Sequence, residues 1–386
     1  MKILILGGGL MGPAAAFNAL SNPDVSQVII CDMSQEQLQR SVDKLAGKPG
    51  ADKLGVVRLD LNNREAATEL MAKFDAIVAA LPQSVSALAT EAALKAGTPL
   101  IDLSKSDDNK LPMLQGMAQT RGGLAILACG LEPGLTEIMA RHLAEKLDQV
   151  DEVHIKCGGI PEEPAPPLGY KIVFGGQQLP LRETDAYLVE NGQLKAVPRY
   201  SGVEAITFSG VGECEAWHEG FMPWLLDLPL LKNLRAGTQK TVRWPGYAAK
   251  VTVLKEMGLL SNKPIQVDGV EVVPKRLLDT LLYPRVKLNE GEKDIAVFRV
   301  EVTGQKAGRS CRLQAEMVDR YDESLSFTAM ARTTAFTGAI VAQMIARGDI
   351  QSKGLLHPEQ VITGLNFDHL MDKLAAVNIN FKITES

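Results

Sequence analysis

The run from Lys2 to Gly12, Lys-Ile-Leu-Ile-Leu-Gly-Gly-Gly-Leu-Met-Gly, constrains the fold of this chain more than any other stretch. Ile3 to Leu6 read as a buried strand, and Ala14, Ala15 and Ala16 open a helix-forming segment. Between them Gly7, Gly9 and Gly12 keep the spacing G-x-G-x-x-G. The first glycine permits a tight turn, and the second lets a pyrophosphate approach the backbone. The third lets helix pack on strand, and the free N–H groups of the first helical turn, around Leu10 and Met11, face the phosphates. Asp32 ends the next apolar run, Val28 to Ile30, 20 residues after Gly12, where a carboxylate accepts from a ribose 2′-hydroxyl. That carboxylate repels a 2′-phosphate. No arginine follows it directly, and Arg40 is placed on the next helix, so NAD is expected over NADP.

From residue 2 to about 128, short apolar runs near 2–6, 27–32, 55–59, 75–80, 99–103 and 124–128 alternate with segments of helical composition. Continuous apolar strands covered by helices predict an α/β domain, a Rossmann doubly wound parallel sheet. Its ligand crevice lies outside the carboxyl ends of the strands. Asp60, at the end of the third strand, is then a candidate for the adenine or its ribose. Ala80, Leu81 and Pro82, after the fourth, are candidates for the ribose path. After residue 150 the texture changes to strand-like stretches near 150–157, 170–175, 248–254, 265–273, 294–303 and 310–319. These predict a second α+β domain with a mixed or antiparallel sheet. A nearly all-apolar helix over 329–350, stopped by Arg347 and Gly348, must be buried and is expected to return to the first domain. The expected division is therefore 1–128 completed by 325–386 for the dinucleotide, and 129–324 for substrate binding and dimerisation.

Composition narrows the function classes. At 386 residues with a net charge of −5, the chain has no basic surplus for a nucleic-acid partner. No apolar run approaches the roughly 20 residues of a membrane span, so no membrane partner is expected. The five cysteines are scattered without C-x-x-C pairs or histidine clusters, which predicts reduced thiols and no metal site. With a strand starting at residue 2 and no signal-like segment before it, a cytoplasmic location is expected.

Ala128–Leu135 (Ala-Cys-Gly-Leu-Glu-Pro-Gly-Leu), Cys157–Pro161 and Pro166–Lys171 resemble the saccharopine dehydrogenase-like family. Gly212–His218, Thr241–Gly246 and Thr328–Thr334 continue the resemblance, which spans essentially the whole chain. It implies a homodimeric, NAD-dependent oxidation of a small amino-acid substrate at a carbon–nitrogen bond. The ε-amine of L-lysine, with release of ammonia, is the first candidate. A secondary amine such as saccharopine, or a carboxylated polyamine, is the alternative. A reading from another class, a non-catalytic NAD-binding protein on the same scaffold, is opposed by the polar groups kept at several strand ends.

A zwitterionic substrate needs a cation for its carboxylate, and only a guanidinium offers a bidentate fork; Arg243, on the strand-like Thr241–Trp244, is the first candidate, with a surface arginine stacking on Trp244 as the open alternative. His218, within a family motif, is the candidate base for imine hydrolysis. Asp102 and Lys105 follow the fifth strand at the crevice: Asp102 is a candidate to orient a base or bind the substrate amine, with capping of the next turn as the open alternative, and Lys105 a candidate to pair with a carboxylate or, with a depressed pKa, to act as a base. Cys129 and Gly130 are expected to line the site through their backbone, since nothing nearby activates the thiol. Tyr170 and Lys171 follow a Pro-Pro-Leu-Gly turn, where presentation to a cleft and the start of a strand remain open alternatives. Thr333 and Thr334 open the buried helix, where capping and substrate contact remain open alternatives.

Overall fold

A computed structural model describes residues 1–173 and 179–386. The chain divides into two compact units: Met1–Ile138 with Ala331–Ile379, and Met139–Met330 with Asn380–Ser386. The first break thus falls some ten residues later than the 128/129 boundary read from sequence, inside a helix. The last seven residues join the second unit, not the first.

The first unit is built on a seven-stranded, all-parallel sheet. Its strands are β1 (Lys2–Leu6), β2 (Gln27–Asp32), β3 (Leu54–Arg58), β4 (Ala76–Ala79), β5 (Leu100–Asp102), β6 (Leu124–Ile126) and, from far along the chain, β17 (Gly354–Leu356). The order is β17-β6-β5-β4-β1-β2-β3, so strand order reverses between β1 and β4. In open α/β sheets a ligand binds at such a reversal, beyond the carboxyl ends of the strands. Ile3, Ile5, Val28, Ile30, Ile77 and Val78 are fully buried, as central strands covered on both faces require.

The helices of this unit are α1 (Met11–Leu20), α2 (Gln35–Leu45), α3 (Arg64–Met71), α4 (Gln83–Ala96) and α5 (Leu111–Arg121). Local capping sets several starts: the Ser34 hydroxyl accepts from Gln37 N at the head of α2, and Asn63 accepts from Ala66 N at α3. The helix α6 (Leu135–Ala144) carries the chain out of the unit.

The second unit holds β7 (Gln149–Pro161), β8 (Ala186–Glu190), β9 (Gln193–Val197), β10 (Glu204–Phe208), β11 (Gly212–His218) and β12 (Ala236–Arg243). The helix α7 (Tyr247–Glu256) follows, then the hairpin β13 (Ile265–Val267) and β14 (Val270–Val272), α8 (Pro274–Val286), and the long strands β15 (Asp294–Lys306) and β16 (Arg309–Arg320). The strand β18 (Lys382–Glu385) closes the chain. The large sheet runs β10-β11-β12-β7-β15-β16-β18, with β8 on β12 and β9 on β8. Only β12 and β7 are parallel; every other pairing is antiparallel.

The sheet curls back on itself. Arg299 on β15 donates to the Thr207 carbonyl on β10 (2.7 Å) and lies 4.9 Å from the Phe208 ring centroid; Arg320 donates to the Gly210 carbonyl. The concave face buries Ile160, Phe208, Ala216, Val242 and Val297. The opposite face carries Trp217, packed under α7, α8 and the segment around Leu168–Ile172.

Two segments read as strands differ from this structure. The stretch 248–254 is helix, not strand: its Val-Thr-Val alternation misleads. Glu215 accepts Gly246 N (2.7 Å) and Ala248 N (2.6 Å), which anchors the first turn of α7. In 170–175, Ile172 makes a single bridge to Lys287, and part of that expected strand lies outside the described residues. The long helix expected over 329–350 is one continuous run from Ala329 to Arg347, made of α9 (Ala329–Ala331), a π-helical turn at Arg332–Phe336 and α10 (Thr337–Arg347), and from Ala331 on it belongs to the first unit; α11 (Leu365–Ala375) comes later. The helix α10 lies on α1, where the Gln343 amide donates to Asn18 (2.9 Å) and accepts from Asn22 (2.8 Å). Among the described residues no helix is long and apolar enough to cross a membrane, and no group of His, Cys, Asp or Glu could hold a metal ion.

Candidate active site

Two sets of residues carry chemistry, one in each unit. In the first, the glycine turn links β1 to α1. Gly7 has φ +100°, donates to the Cys31 carbonyl (2.7 Å), and a Cβ on it would lie 2.4 Å from the Ala80 carbonyl oxygen. A Cβ on Gly12 would lie 1.9 Å from the Gly7 carbonyl oxygen. A Cβ on Gly9 would meet nothing within 4 Å. Close packing therefore fixes the first and third glycines, while the second faces open space. The first turn of α1 has no acidic residue and no side-chain cap, so its N–H groups and dipole favour an anion. Leu10 is exposed beside it, and Met11 is buried beneath.

Asp32 ends β2 and is locked to the turn: one carboxylate oxygen accepts Gly8 N (2.7 Å), the other Ser34 N (2.8 Å). The acid is thus preset at the edge of the glycine loop. Arg40 is paired with Glu36 on α2. The arginine beside Asp32 is instead Arg58, its register partner on β3, whose Nε donates to the Met33 carbonyl (3.1 Å). Parallel pairing of β2 with β3 brings it there, a relation sequence distance hides. Ala80, Leu81 and Pro82 leave the end of β4 beside Gly7. Asp60 lies beyond β3 in a turn, where its Oδ1 accepts both the backbone and side-chain N–H of Asn62 (2.9 Å each).

In the second unit Arg243 ends β12, only 7% exposed. Its guanidinium lies 4.7 Å from the ring centroid of Tyr170 and 5.8 Å from that of Tyr247. Tyr170 meets Tyr247 edge to face (5.5 Å), Trp217 stacks on Tyr247 (5.9 Å), and Tyr200 leans on Trp217 (4.7 Å). Nη1 donates to the Val242 carbonyl (2.8 Å), but Nε has no partner, nor have the Tyr170 hydroxyl and the Trp217 indole N–H. Glu215 stands opposite Arg243 in the β11–β12 register, yet its two oxygens are spent on the N–H groups that start α7. Arg243 forms no ion pair among the described residues. Burial raises both tyrosine pKa values, and the Arg243 charge draws them part of the way back. A buried guanidinium among neutral aromatics is costly unless an anion completes it. Gly158 makes room, since a Cβ there would lie 2.9 Å from Nη1.

Two family models cover nearly all of this architecture. The saccharopine dehydrogenase NADP binding domain matches residues 3–121, and the saccharopine dehydrogenase C-terminal domain matches 130–379. The chain belongs to the saccharopine dehydrogenase family. It is 22% identical to the mitochondrial alpha-aminoadipic semialdehyde synthase of Bos taurus over 92% of its own length, but spans only 45% of that protein. It is 20% identical to the carboxyaminopropylagmatine dehydrogenase of Synechocystis over 93% of this chain and 92% of the relative. The apo saccharopine dehydrogenase (L-Glu forming) of Saccharomyces cerevisiae superposes with a TM-score of 0.80 at 18% identity, covering 100% and 99% of the two chains.

Several family-motif residues take other roles than expected. His218 pairs with Lys240 across β11–β12, while Glu215 pairs with Arg243; alternation puts His218 on the concave face, opposite Trp217 and Arg243. There its ring sits over Gly202, and burial together with the Lys240 charge lowers its pKa. His218 is therefore not a base for anything held by Arg243. Lys171 is spent on Glu292 (2.9 Å) and the Lys287 carbonyl. Cys129 and Gly130 are buried, with their N–H groups bonded to the Asp102 and Pro133 carbonyls. A Cβ on Gly130 would press on Thr334 Cγ2 at 2.9 Å, so this turn and Thr334 pack together. Burial also pushes the Cys129 thiol up, which leaves it unreactive. Tyr170 is brought onto Arg243 as a wall. Thr333 is fully buried, and Thr334 half-buried in the π-helical turn.

Asp102 caps the turn after β5. It is wholly buried, with one oxygen on the Ser86 hydroxyl and the other accepting the Ser104 N–H and hydroxyl (2.9 Å each). Burial raises its pKa from 3.8 to about 6, and the three donors pull it back only in part. The folded form then holds the proton more tightly than the unfolded chain. Its contribution to stability is greatest at low pH and is lost as pH rises from about 4 to about 6. Asp102→Asn removes this titration. The stability of wild type relative to the variant should fall by roughly 3 kcal/mol between pH 4 and pH 7, read from urea unfolding at each pH. A difference that stays flat across that range removes the explanation.

Lys105 is half-buried in the loop after β5 and makes no ion pair among the described residues. The residues that sequence reasoning missed are Tyr200, Trp217 and Tyr247. The alternation of Gly212–His218 against that of Thr241–Arg243 was the available signal.

Proposed function

We propose that the chain is an NAD-dependent dehydrogenase of amino-acid metabolism. It would oxidise a carbon–nitrogen bond of a carboxylated amine, with the ε-amine of L-lysine as the first candidate and release of ammonia. The observation that carries this reading is Arg243: a buried guanidinium with an unpaired Nε, walled by Tyr170 and Tyr247, is completed by a carboxylate. The aromatic walls exclude water from the pair, which strengthens it. NAD, when bound, supplies the hydride acceptor. Gly9 and the head of α1 would hold its diphosphate, and Asp32 its ribose. Lys105, in the loop after β5, is the candidate to take a proton.

A second reading, oxidation of a secondary amine such as saccharopine, is supported by the match of residues 130–379 to the saccharopine dehydrogenase C-terminal domain. Purified protein with NAD and lysine alone separates the two. NADH absorbance supports lysine; silence with lysine and turnover of saccharopine supports the second reading. Silence with every candidate amine, despite NADH binding, would leave a nucleotide-binding protein without this activity.

The preference for NAD rests on Asp32. A 2′-phosphate beside a carboxylate that is already locked to Gly8 and Ser34 meets like charge, while Arg58 one strand away is the group that opposes this preference. Wild-type kcat/KM should favour NAD, and Asp32→Asn should reduce the NAD-to-NADP ratio about tenfold or more, some 1.4 kcal/mol. A wild type that prefers NADP overturns the assignment.

A further inference from the structure

His218 and Lys240, on the sheet face away from Arg243, hold a turn that crosses to the other face. The chain reverses at Pro198–Ser201, where Ser201 N donates to the Pro198 carbonyl (3.2 Å). Tyr200 takes the third place of that turn, with φ +71°. A positive φ there belongs to a type II turn and suits glycine; on a tyrosine it is a strained conformation that lasts only where surrounding contacts over-determine it. Such contacts are present. His218 N donates to the Ser201 carbonyl (3.0 Å), the Lys240 ammonium to the Gly202 carbonyl (2.6 Å) and Arg182 N to the Tyr200 hydroxyl (2.9 Å). A Cβ on Gly202 would lie 2.2 Å from His218 Nε2, so the turn rests directly on that ring.

What the strained residue delivers is its ring. Tyr200 is buried against Trp217 (4.7 Å), Trp217 lies nearly parallel on Tyr247 (10°, 5.9 Å), and Tyr247 is one of the two aromatic walls of the Arg243 guanidinium. Arg199, one residue earlier, donates through Nη1 to the Glu219 carboxylate (2.5 Å) and carbonyl (2.6 Å), and Arg182 takes the same carboxylate oxygen. Burial raises the pKa of Tyr170, Tyr200 and Tyr247, and the charge of Glu219 adds to the rise in each. This carboxylate therefore lies close to the pocket, and two other guanidiniums hold it. We propose that the turn positions the carboxylate pocket: Tyr200 fixes the Trp217–Tyr247 wall beside Arg243, and Arg199 keeps Glu219 occupied so that Arg243 stays open to a substrate. The role rests on the assignment of Arg243 to a substrate carboxylate. Without the Tyr200 ring, Trp217 and Tyr247 gain freedom, water reaches the guanidinium, and the ion pair weakens. His218 and Lys240 act on the pocket from the far face, as positioning residues that touch no substrate.

Steady-state kinetics of the full-length protein test this, with L-lysine as substrate, or saccharopine if lysine is silent. Tyr200→Leu and Lys240→Met should each raise KM for the amine about tenfold, with kcat and NAD affinity unchanged. Tyr200→Phe keeps the ring and should retain the wild-type KM. A role exerted through Arg243 predicts strong coupling: in an Arg243→Gln background neither substitution should lower kcat/KM further, whereas a merely structural effect adds in full. Wild-type KM in Tyr200→Leu and Lys240→Met, or full additivity with Arg243→Gln, overturns the proposal. Should Tyr200→Leu fail to fold, Lys240→Met decides alone. An Arg243→Gln protein with unchanged KM is a different failure: it removes the assignment of Arg243 to the carboxylate, and the role of the turn falls with it.

Discussion

Arg243→Gln is expected to lower kcat/KM for the carboxylated amine roughly a thousandfold, about 4 kcal/mol, with most of the loss in KM. The size follows from the setting. Nε is unpaired, the side chain is 7% exposed, and among the described residues no carboxylate pairs with it, so the substrate makes the ion pair in a largely desolvated place. The loss falls on KM because a carboxylate distant from the reacting bond is held equally in the ground and transition states. Arg243→Lys keeps the charge but loses the fork and should fall between wild type and glutamine. A structural role makes the opposite stability prediction. If the guanidinium served mainly to brace Tyr170 and Tyr247, glutamine would cost stability. If it waits for an anion, removing a buried unpaired charge leaves the melting temperature unchanged or raises it. NAD affinity should not move. A glutamine variant with wild-type KM and a lowered melting temperature would assign Arg243 to packing.

What could be read from sequence follows the range of the interactions involved. The glycine turn was legible because each of its constraints is local: a positive φ at Gly7, a backbone contact at Gly12 and an open side at Gly9 all arise within eleven residues. The buried parallel strands were legible because both faces are covered, so Ile3–Leu6 and Val28–Ile30 are continuously apolar. The second unit yielded less. Its α7 carries a strand-like Val-Thr-Val, and what makes it helix is Glu215, over thirty residues away, holding its first N–H groups. His218 drew attention as a titratable residue in a family motif, although it is Trp217 beside it that shares the sheet face of Arg243. Only the register of β11 on β12 tells the two apart. Asp102 looked catalytic at a strand end because a sequence does not show that Ser86 and Ser104 already saturate it. Arg58 was overlooked because its nearness to Asp32 is made by strand pairing alone.

Gly9→Ala and Gly12→Ala, two residues of one turn, should fail in different ways. At Gly12 the new methyl lies 1.9 Å from the Gly7 carbonyl oxygen, a backbone atom that cannot turn aside. Relief requires α1 to move off β1, where its Ala14, Ala15 and Ala16 are fully buried. The cost is that of overpacking without escape, about 3 kcal/mol or more, and the variant should melt far below wild type or fail to fold. At Gly9 nothing of the protein lies within 4 Å and φ is not positive, so alanine is accepted with stability within about 1 kcal/mol of wild type. The methyl instead occupies the space a diphosphate needs, and NAD affinity should fall at least about a hundredfold, some 2.8 kcal/mol. Differential scanning calorimetry and titration calorimetry read the two effects separately. A Gly9→Ala protein that is stable and binds NAD as tightly as wild type would show that the diphosphate does not pass over this turn. The assignment of the first unit to the dinucleotide would then lose its physical basis, since Gly7 and Gly12 alone are explained by packing.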